Sequence, residues 1–141
     1  MLEEQRKRIV LVDDHLVVRE GLERLLNLGD EFVVCEVASN AKEGIDTVRE
    51  MQPDAVIVDV QLPGGADGIE LTRSLVRELP HLVVINLSAH EEPEVAVRAL
   101  NAGAMGYVSK SEGIDALRTA LRKAFAHKRS FPILEKFGKI A

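Results

Sequence analysis

The chain has 141 residues, of which 46% are hydrophobic and 29% are charged, and its formal net charge is −5 at pH 7. This length fits one domain, and the acidic balance argues against a nucleic-acid-binding surface spread over all of it. No run approaches the ~20 apolar residues of a membrane span. The charged first residues are not followed by the apolar region of a secretory signal, so we expect a cytoplasmic protein.

Strand-like and helix-like patterns alternate along the chain. Continuous apolar runs predict five strands, at residues 8–12, 32–38, 55–58, 83–87 and 106–109. Apolar residues at helical spacing after each strand predict five helices, at residues 18–26, 41–52, 69–79, 95–102 and 114–125. Either Ser39 or Asn40 can cap the second helix. This strict alternation predicts an α/β fold in which a parallel sheet has helices on both faces.

Polar side chains stand where four of the predicted strands end. Asp13 and Asp14 follow the first strand, Asp59 the third, Ser88 the fourth and Lys110 the fifth. The carboxyl ends of parallel strands share one edge of a sheet, where open α/β folds bind their ligands. Three carboxylates, a hydroxyl and an amine are therefore expected to converge there. For Asp59 taken alone, capping of the next turn is the ordinary alternative.

The expected cluster suits magnesium and phosphoryl chemistry. Adjacent carboxylates raise one another's proton affinity unless a cation lies between them, and Mg²⁺ is bound by a few carboxylates, a carbonyl and several waters. Together with Lys110, such an ion would neutralise the oxygens of an incoming phosphoryl group. One of the carboxylates can then act as the nucleophile, as in proteins that form aspartyl phosphates.

The order and spacing of these residues resemble the response-regulator receiver domains of two-component signalling. The matching segments are 12–15 (Val-Asp-Asp-His), 58–63 (Val-Asp-Val-Gln-Leu-Pro), 87–89 (Leu-Ser-Ala) and 103–110 (Gly-Ala-Met-Gly-Tyr-Val-Ser-Lys). Ser111, the Asp-Asp-His run and residues 18–22 (Val-Arg-Glu-Gly-Leu) also resemble the NarL-like subfamily, in which a LuxR-type DNA-binding helix-turn-helix follows the receiver. The resemblance implies a flavodoxin-like (βα)5 three-layer domain with the parallel strand order 2-1-3-4-5. That domain would span residues 8–128, after an N-terminal extension (1–7) and before a tail or linker stump without an effector domain (129–141).

The resemblance also implies the roles of the polar residues. Asp59 would accept a phosphoryl group from a phosphohistidine on a sensor histidine kinase. Asp14, Asp59 and the backbone carbonyl of Gln61 would bind Mg²⁺ directly, and Asp13 would bind it directly or through water. Lys110 would pair with the phosphoryl oxygens.

A second group of residues is expected to carry the switch. Ser88 would bond a phosphoryl oxygen once Asp59 is modified, and Tyr107 would rotate inward as Ser88 moves. The side chains of Gln61 and His90 would modulate the lifetime of the phosphorylated aspartate. The alternatives are that Ser88 is an ordinary turn hydroxyl and that Tyr107 is a half-buried aromatic residue whose hydroxyl stays in water.

Four features depart from the receiver pattern or have no assigned role. His15, at the predicted start of a helix, is expected to be solvated or to cap that helix rather than to bind metal. The turn at residues 63–68 is one residue longer than usual. Ser111 replaces the common proline after Lys110, so a trans peptide bond or visible strain is expected. In the C-terminal tail, a frayed end is the simplest interpretation, and the alternative is a short amphipathic helix that packs Ile133, Leu134, Phe137 and Ile140.

The expected function is a phosphorylation-controlled signalling switch, not an enzyme beyond its own phosphotransfer and autodephosphorylation. Its output would pass through the surface of the fourth and fifth units to transcription, by way of a DNA-binding domain absent from this chain. A stand-alone receiver that acts on protein partners is the first alternative. The second is a Mg²⁺-dependent phosphohydrolase, although an aspartate is expected where Gln61 stands. Family analogy implies a homodimer, and the domain itself is expected to bind neither nucleic acid nor membrane.

Overall fold

The computed structural model describes residues 5–64 and 67–136. Its strands are β1 (Lys7–Val12), β2 (Phe32–Ala38), β3 (Ala55–Asp59), β4 (Val83–Ser88) and β5 (Gly106–Ser109). Its helices are α1 (Leu16–Asn27), α2 (Ala41–Met51), α3 (Gly68–Glu78), α4 (Pro93–Ala102), α5 (Ile114–Phe125) and α6 (Pro132–Lys136), with a 3-10 turn at Lys110–Glu112. The five strand–helix units confirm the predicted alternation. No helix in these ranges has the length and apolar character needed to cross a bilayer.

All five strands are parallel and lie in the order β2-β1-β3-β4-β5. This is the flavodoxin-like order that the resemblance implied. The register pairs Val12 with Val58, and Asp59 with Leu87. The three central strands therefore end nearly level with one another, and the polar residues at their ends share one edge of the sheet.

Strand residues are buried on both faces of the sheet. On one face, alternate strand residues pack with α1 and α5, and this cluster includes Ile9, Leu11, Leu26, Ile57, Leu117 and Leu121. On the other face, the intervening residues pack with α2 and α3, in a cluster that includes Val10, Val12, Val48, Val58, Leu71 and Leu75. Burial on both sides explains why the strands are continuously apolar in the sequence.

The C-terminal segment corrects the boundary expected at residue 128. Ser130 forms a parallel bridge with Gly106 of β5, and Phe131 and Leu134 are fully buried. Residues 130–136 are therefore packed on the domain instead of forming a tail or linker. The alternative of an amphipathic helix holds for Ile133 and Leu134, whereas Phe137 and Ile140 lie outside the described residues.

Asn40 is the residue that caps α2. Its Oδ1 accepts a hydrogen bond from the backbone N–H of Glu43 (2.9 Å), and its Nδ2 donates to the Glu43 carboxylate (2.9 Å). We expect Asn40→Ala to lower the free energy of unfolding by about 1 kcal/mol, the usual loss for an N-cap. Denaturant unfolding measures the change, with the exposed Lys42→Ala as the matched control; equal stabilities of the two variants would contradict the prediction.

Candidate functional site

The carboxyl edge of the sheet brings the three predicted aspartates together. Asp13 follows β1, Asp59 is the last residue of β3, and both are only 2% exposed, whereas Asp14 is exposed. Together with His15, these residues offer ligand atoms that all lie within 4.8 Å of one another. A cluster of this kind could hold a metal ion.

Lys110 closes the cluster from the end of β5. Its Nζ lies 3.1 Å from Asp59 Oδ2, to which it donates a hydrogen bond, and 3.0 Å from Asp13 Oδ2. The contact with Asp13 has the distance of an ion pair but not the alignment of a hydrogen bond. Asp13 Oδ2 is consequently buried without a hydrogen-bond donor among the residues that the structure describes. Buried acceptors are normally paired, so this oxygen is well placed to bind a cation.

Burial makes ionisation of Asp59 unfavourable. Desolvation raises the pKa of Asp59 above its ordinary value, and the neighbouring carboxylate of Asp13 acts in the same direction. The backbone N–H of Gln61, 3.0 Å from Oδ1, and the ammonium of Lys110 oppose this rise. An additional cation would relieve the remaining cost of keeping Asp59 charged.

The side chain of His15 is 56% exposed, in line with the expected solvated histidine, but its Nδ1 borders the acidic cluster. It is the N-cap residue of α1, but its side chain makes no capping hydrogen bond. Its Nδ1 lies 3.0 Å from Asp13 Oδ1, 3.4 Å from Asp59 Oδ2 and 3.2 Å from Lys110 Nζ. The backbone N–H of His15 also donates to Asp13 Oδ1 (2.8 Å). The turn closed by this hydrogen bond brings Nδ1 to the acidic cluster. The only sequence signal was its position directly after two aspartates.

The loop after β3 holds the Asp59 backbone through a glycine. The N–H of Gly68 donates to the carbonyl of Val60 (2.8 Å), and a Cβ at Gly68 would lie 2.0 Å from the carbonyl oxygen of Asp59. Only glycine allows α3 to begin so close to the phosphoacceptor candidate. The side chain of Gln61 is exposed, and its backbone forms a bridge with Asp67. The long turn at residues 63–68 lies partly outside the described residues.

Ser88 and Tyr107 donate hydrogen bonds to the same carbonyl oxygen, that of His90. The Ser88 hydroxyl lies 2.8 Å from this oxygen and the Tyr107 hydroxyl 3.0 Å, while the N–H of His90 donates back to Ser88 Oγ (3.2 Å). Tyr107 is only 2% exposed, and burial raises the pKa of its phenol. Its ring is therefore already inside the domain, which leaves little room for the expected inward rotation. The side chain of His90 is exposed.

Ser111, which stands where proline is common in receivers, uses its backbone N–H in the turn after β5. Every peptide bond in the described ranges is trans, that between Lys110 and Ser111 included. The N–H of Ser111, which a proline would lack, donates to Ser109 Oγ (3.3 Å). The N–H of Ser109 in turn donates to the Glu112 carboxylate (3.0 Å). This capping box fixes the turn that carries Lys110.

The fold and the acidic edge with its lysine define a receiver domain. The family model described as "Response regulator receiver domain" matches residues 9–122, and the chain belongs to this family.

Particular relatives agree with that assignment. Over 122 residues the chain is 38% identical to the response regulator GacA of Pseudomonas viridiflava, covering 86% of this chain and 56% of that protein. It is 33% identical over 119 residues to the transcriptional regulatory protein DegU of Brevibacillus brevis, covering 84% and 50%. A crystal structure of a two-component response regulator of the LuxR family from Aurantimonas sp. SI85-9A1 superposes with a TM-score of 0.84 at 37% identity, covering 89% of each chain. The chain spans about half the length of the curated relatives it matches.

Proposed function

We propose that this chain is a phosphorylation-controlled switch in which Asp59 accepts a phosphoryl group from a sensor histidine kinase. The observation that carries the proposal is the position of Asp59, a buried carboxylate at a strand end with the Lys110 ammonium 3.1 Å from its Oδ2. An isolated structural ion pair would not require two further aspartates beside it. Membership in the receiver family supports the same role.

We infer that Asp13, Asp14, Asp59 and the backbone carbonyl of Gln61 hold Mg²⁺. The donor set fits this ion, because Mg²⁺ prefers a few hard oxygen ligands and keeps several waters. Among the described residues, the buried Oδ2 of Asp13 accepts no hydrogen bond, which independently supports a further ligand, such as a cation, at this oxygen. When bound, the ion neutralises negative charge on the phosphoryl group as it approaches the carboxylates.

The residues of the chain itself orient the reacting groups. The Gln61 N–H donates to Asp59 Oδ1 and the Lys110 ammonium to Oδ2, so both oxygens of the nucleophilic carboxylate are held. The carboxylate would attack the phosphorus of phosphohistidine, a P–O bond would form as the P–N bond breaks, and the imidazole would leave with the bonding electrons. Lys110 is within reach of the oxygens that gain charge, and it would move from the carboxylate to the phosphoryl group.

The response would begin at Ser88, whose hydroxyl now bonds the His90 carbonyl. On phosphorylated Asp59, a new acceptor competes for that hydroxyl, and the loop after β4 would follow it. We propose that the resulting change in the surface formed by β4–α4 and β5–α5 controls the output. Transcriptional control is the output that the relatives' names favour.

Acetyl phosphate provides a direct test. Incubation with acetyl phosphate and Mg²⁺ should add one phosphoryl group to the intact mass, and peptide mapping should place it on Asp59. Chelation of Mg²⁺ beforehand should prevent the adduct. Rapid turnover of phosphate esters without any adduct would contradict the proposal and favour a phosphohydrolase.

A further inference from the structure

We propose that residues 130–136, named here the strap, form a latch on β5 and α4 that phosphorylation of Asp59 loosens. The proposal rests on the proposed function, since it makes the strap the element that senses modification. Three sets of contacts connect the strap to the site: those that hold the strap, those that join it to Tyr107, and those that join Tyr107 to Ser88.

The strap is held by backbone hydrogen bonds and apolar burial. The carbonyl of Ser130 accepts from the N–H of Tyr107 (3.0 Å), and the N–H of Ser130 donates to the carbonyl of Met105 (2.9 Å). These two bonds add one bridge to the outer edge of the sheet beside β5. Phe131 and Leu134 then bury their side chains completely, and α6 lies against α4.

The surface under the strap is made of small side chains. The buried residues of α4 are Ala96, Ala99 and Ala102, and they share one apolar cluster with Tyr107, Phe131, Ile133 and Leu134. An alanine-lined helix leaves room that the larger side chains of the strap fill. The docking surface is therefore complementary to this segment of the chain, which is the occupant that we assign to it.

Tyr107 contacts both the strap and the loop after β4, which carries His90. Its backbone N–H and its ring lie with the strap, while its hydroxyl shares the His90 carbonyl with Ser88. When Ser88 turns to a phosphoryl oxygen, the N–H of His90 loses its acceptor, and the loop that carries His90 must rearrange. The Tyr107 hydroxyl then either follows this carbonyl or remains buried without a partner, which is unfavourable.

Either response of Tyr107 disturbs the packing of the strap. Because the ring is 2% exposed and closely packed, it cannot turn without opening space beside Phe131 and Leu134. Phosphorylation and strap docking thus favour different positions of one side chain. Coupling of this kind is reciprocal, and it typically changes an equilibrium by about tenfold.

Hydrogen exchange of the unaltered 141-residue chain tests the coupling. With Mg²⁺ and beryllofluoride, which mimics a phosphoryl group on a carboxylate, the amides of Ser130, Leu134 and Glu135 should exchange about tenfold faster, while those of β1 and α2 stay unchanged. Fluorine NMR reports beryllofluoride binding independently. Binding with unchanged exchange of the strap overturns the latch alone, whereas absence of binding overturns the proposed function and the latch with it.

The reciprocal experiment uses one buried and one exposed residue of the same helix. Leu134→Ala weakens the docked strap, so it should increase the affinity for beryllofluoride by up to about tenfold. Glu135→Ala, at an exposed position of α6, is the matched control and should leave this affinity unchanged. Equal affinities of the two variants overturn the coupling. Since the exchange experiment needs no substitution, it decides the question even if Leu134→Ala folds poorly.

Discussion

Asp59→Asn is expected to abolish the phosphoryl adduct while making the unmodified protein more stable at neutral pH. The first effect follows because an amide cannot serve as the nucleophile for aspartyl phosphate formation. The second follows from the raised pKa of the buried carboxyl group, which shows that the fold disfavours its charged form. Replacement of the carboxylate by its neutral isostere removes that penalty, so we expect the free energy of unfolding to rise.

The pH dependence of this gain has a definite sign. Because the folded pKa of Asp59 lies above the unfolded value, protonated Asp59 favours the folded state at low pH, and this contribution is lost as the pH rises through the folded pKa. The difference in free energy of unfolding between Asp59→Asn and the parent should therefore be largest at pH 7 and should shrink towards pH 4. Thermal unfolding of both proteins without divalent ions measures this difference.

The exposed Asp46→Asn serves as the control for charge alone. It removes one negative charge from α2, where Asp46 has only a surface contact with Lys42 (3.6 Å). This variant should be phosphorylated normally and should match the parent in stability. A phosphoryl adduct on the Asp59→Asn variant, or a loss of stability in it at pH 7, would refute the assignment of Asp59 as a buried nucleophile whose charged form the fold disfavours.

The carboxyl edge was predictable because it depends on topology rather than on detailed packing. Once five apolar runs alternate with helices, the strands must be parallel, and the residues at their ends must meet. Asp13, Asp59 and Lys110 could therefore be brought together although 46 and 51 residues separate them in turn. Their meeting does not depend on rotamers or loop conformations.

The remaining parts of the site depend on local geometry that no periodicity reveals. Nδ1 of His15 lies against the acidic cluster because of a turn around the Asp13 carboxylate, and the sequence does not reveal that turn. Gly68 is required by a 2.0 Å approach to the Asp59 carbonyl, which is a property of the folded loop. The apolar residues of the strap could be read from the sequence, but the surface they pack on is created only when α4 and β5 come together.

The sharing of the His90 carbonyl is also invisible in the sequence. It places Ser88 and Tyr107, 19 residues apart, on one acceptor atom. Two donors on one oxygen make the positions of both side chains depend on the same loop. The resemblance to receivers implied that the two residues move together, and these hydrogen bonds provide a physical route for that coupling.

Lys110→Ala is expected to slow formation of the phosphoryl adduct by about 100-fold, the usual loss when one positioned charge-stabilising group is removed. The same substitution should strengthen Mg²⁺ binding, because it removes a competing cation from 3.0 Å and 3.1 Å of two aspartate oxygens. Without divalent ions it should also lower stability by up to about 3 kcal/mol, since buried Asp13 and Asp59 lose their lysine partner. The exposed Lys128→Ala is the control and should change neither adduct formation, nor Mg²⁺ binding, nor stability.

Calorimetric titration of Mg²⁺, together with a time course of acetyl phosphate labelling, separates these effects. If Lys110 only braced the fold, Mg²⁺ would restore both stability and labelling; a variant that is stable with Mg²⁺ and still labels slowly shows that its ammonium acts on the phosphoryl group itself.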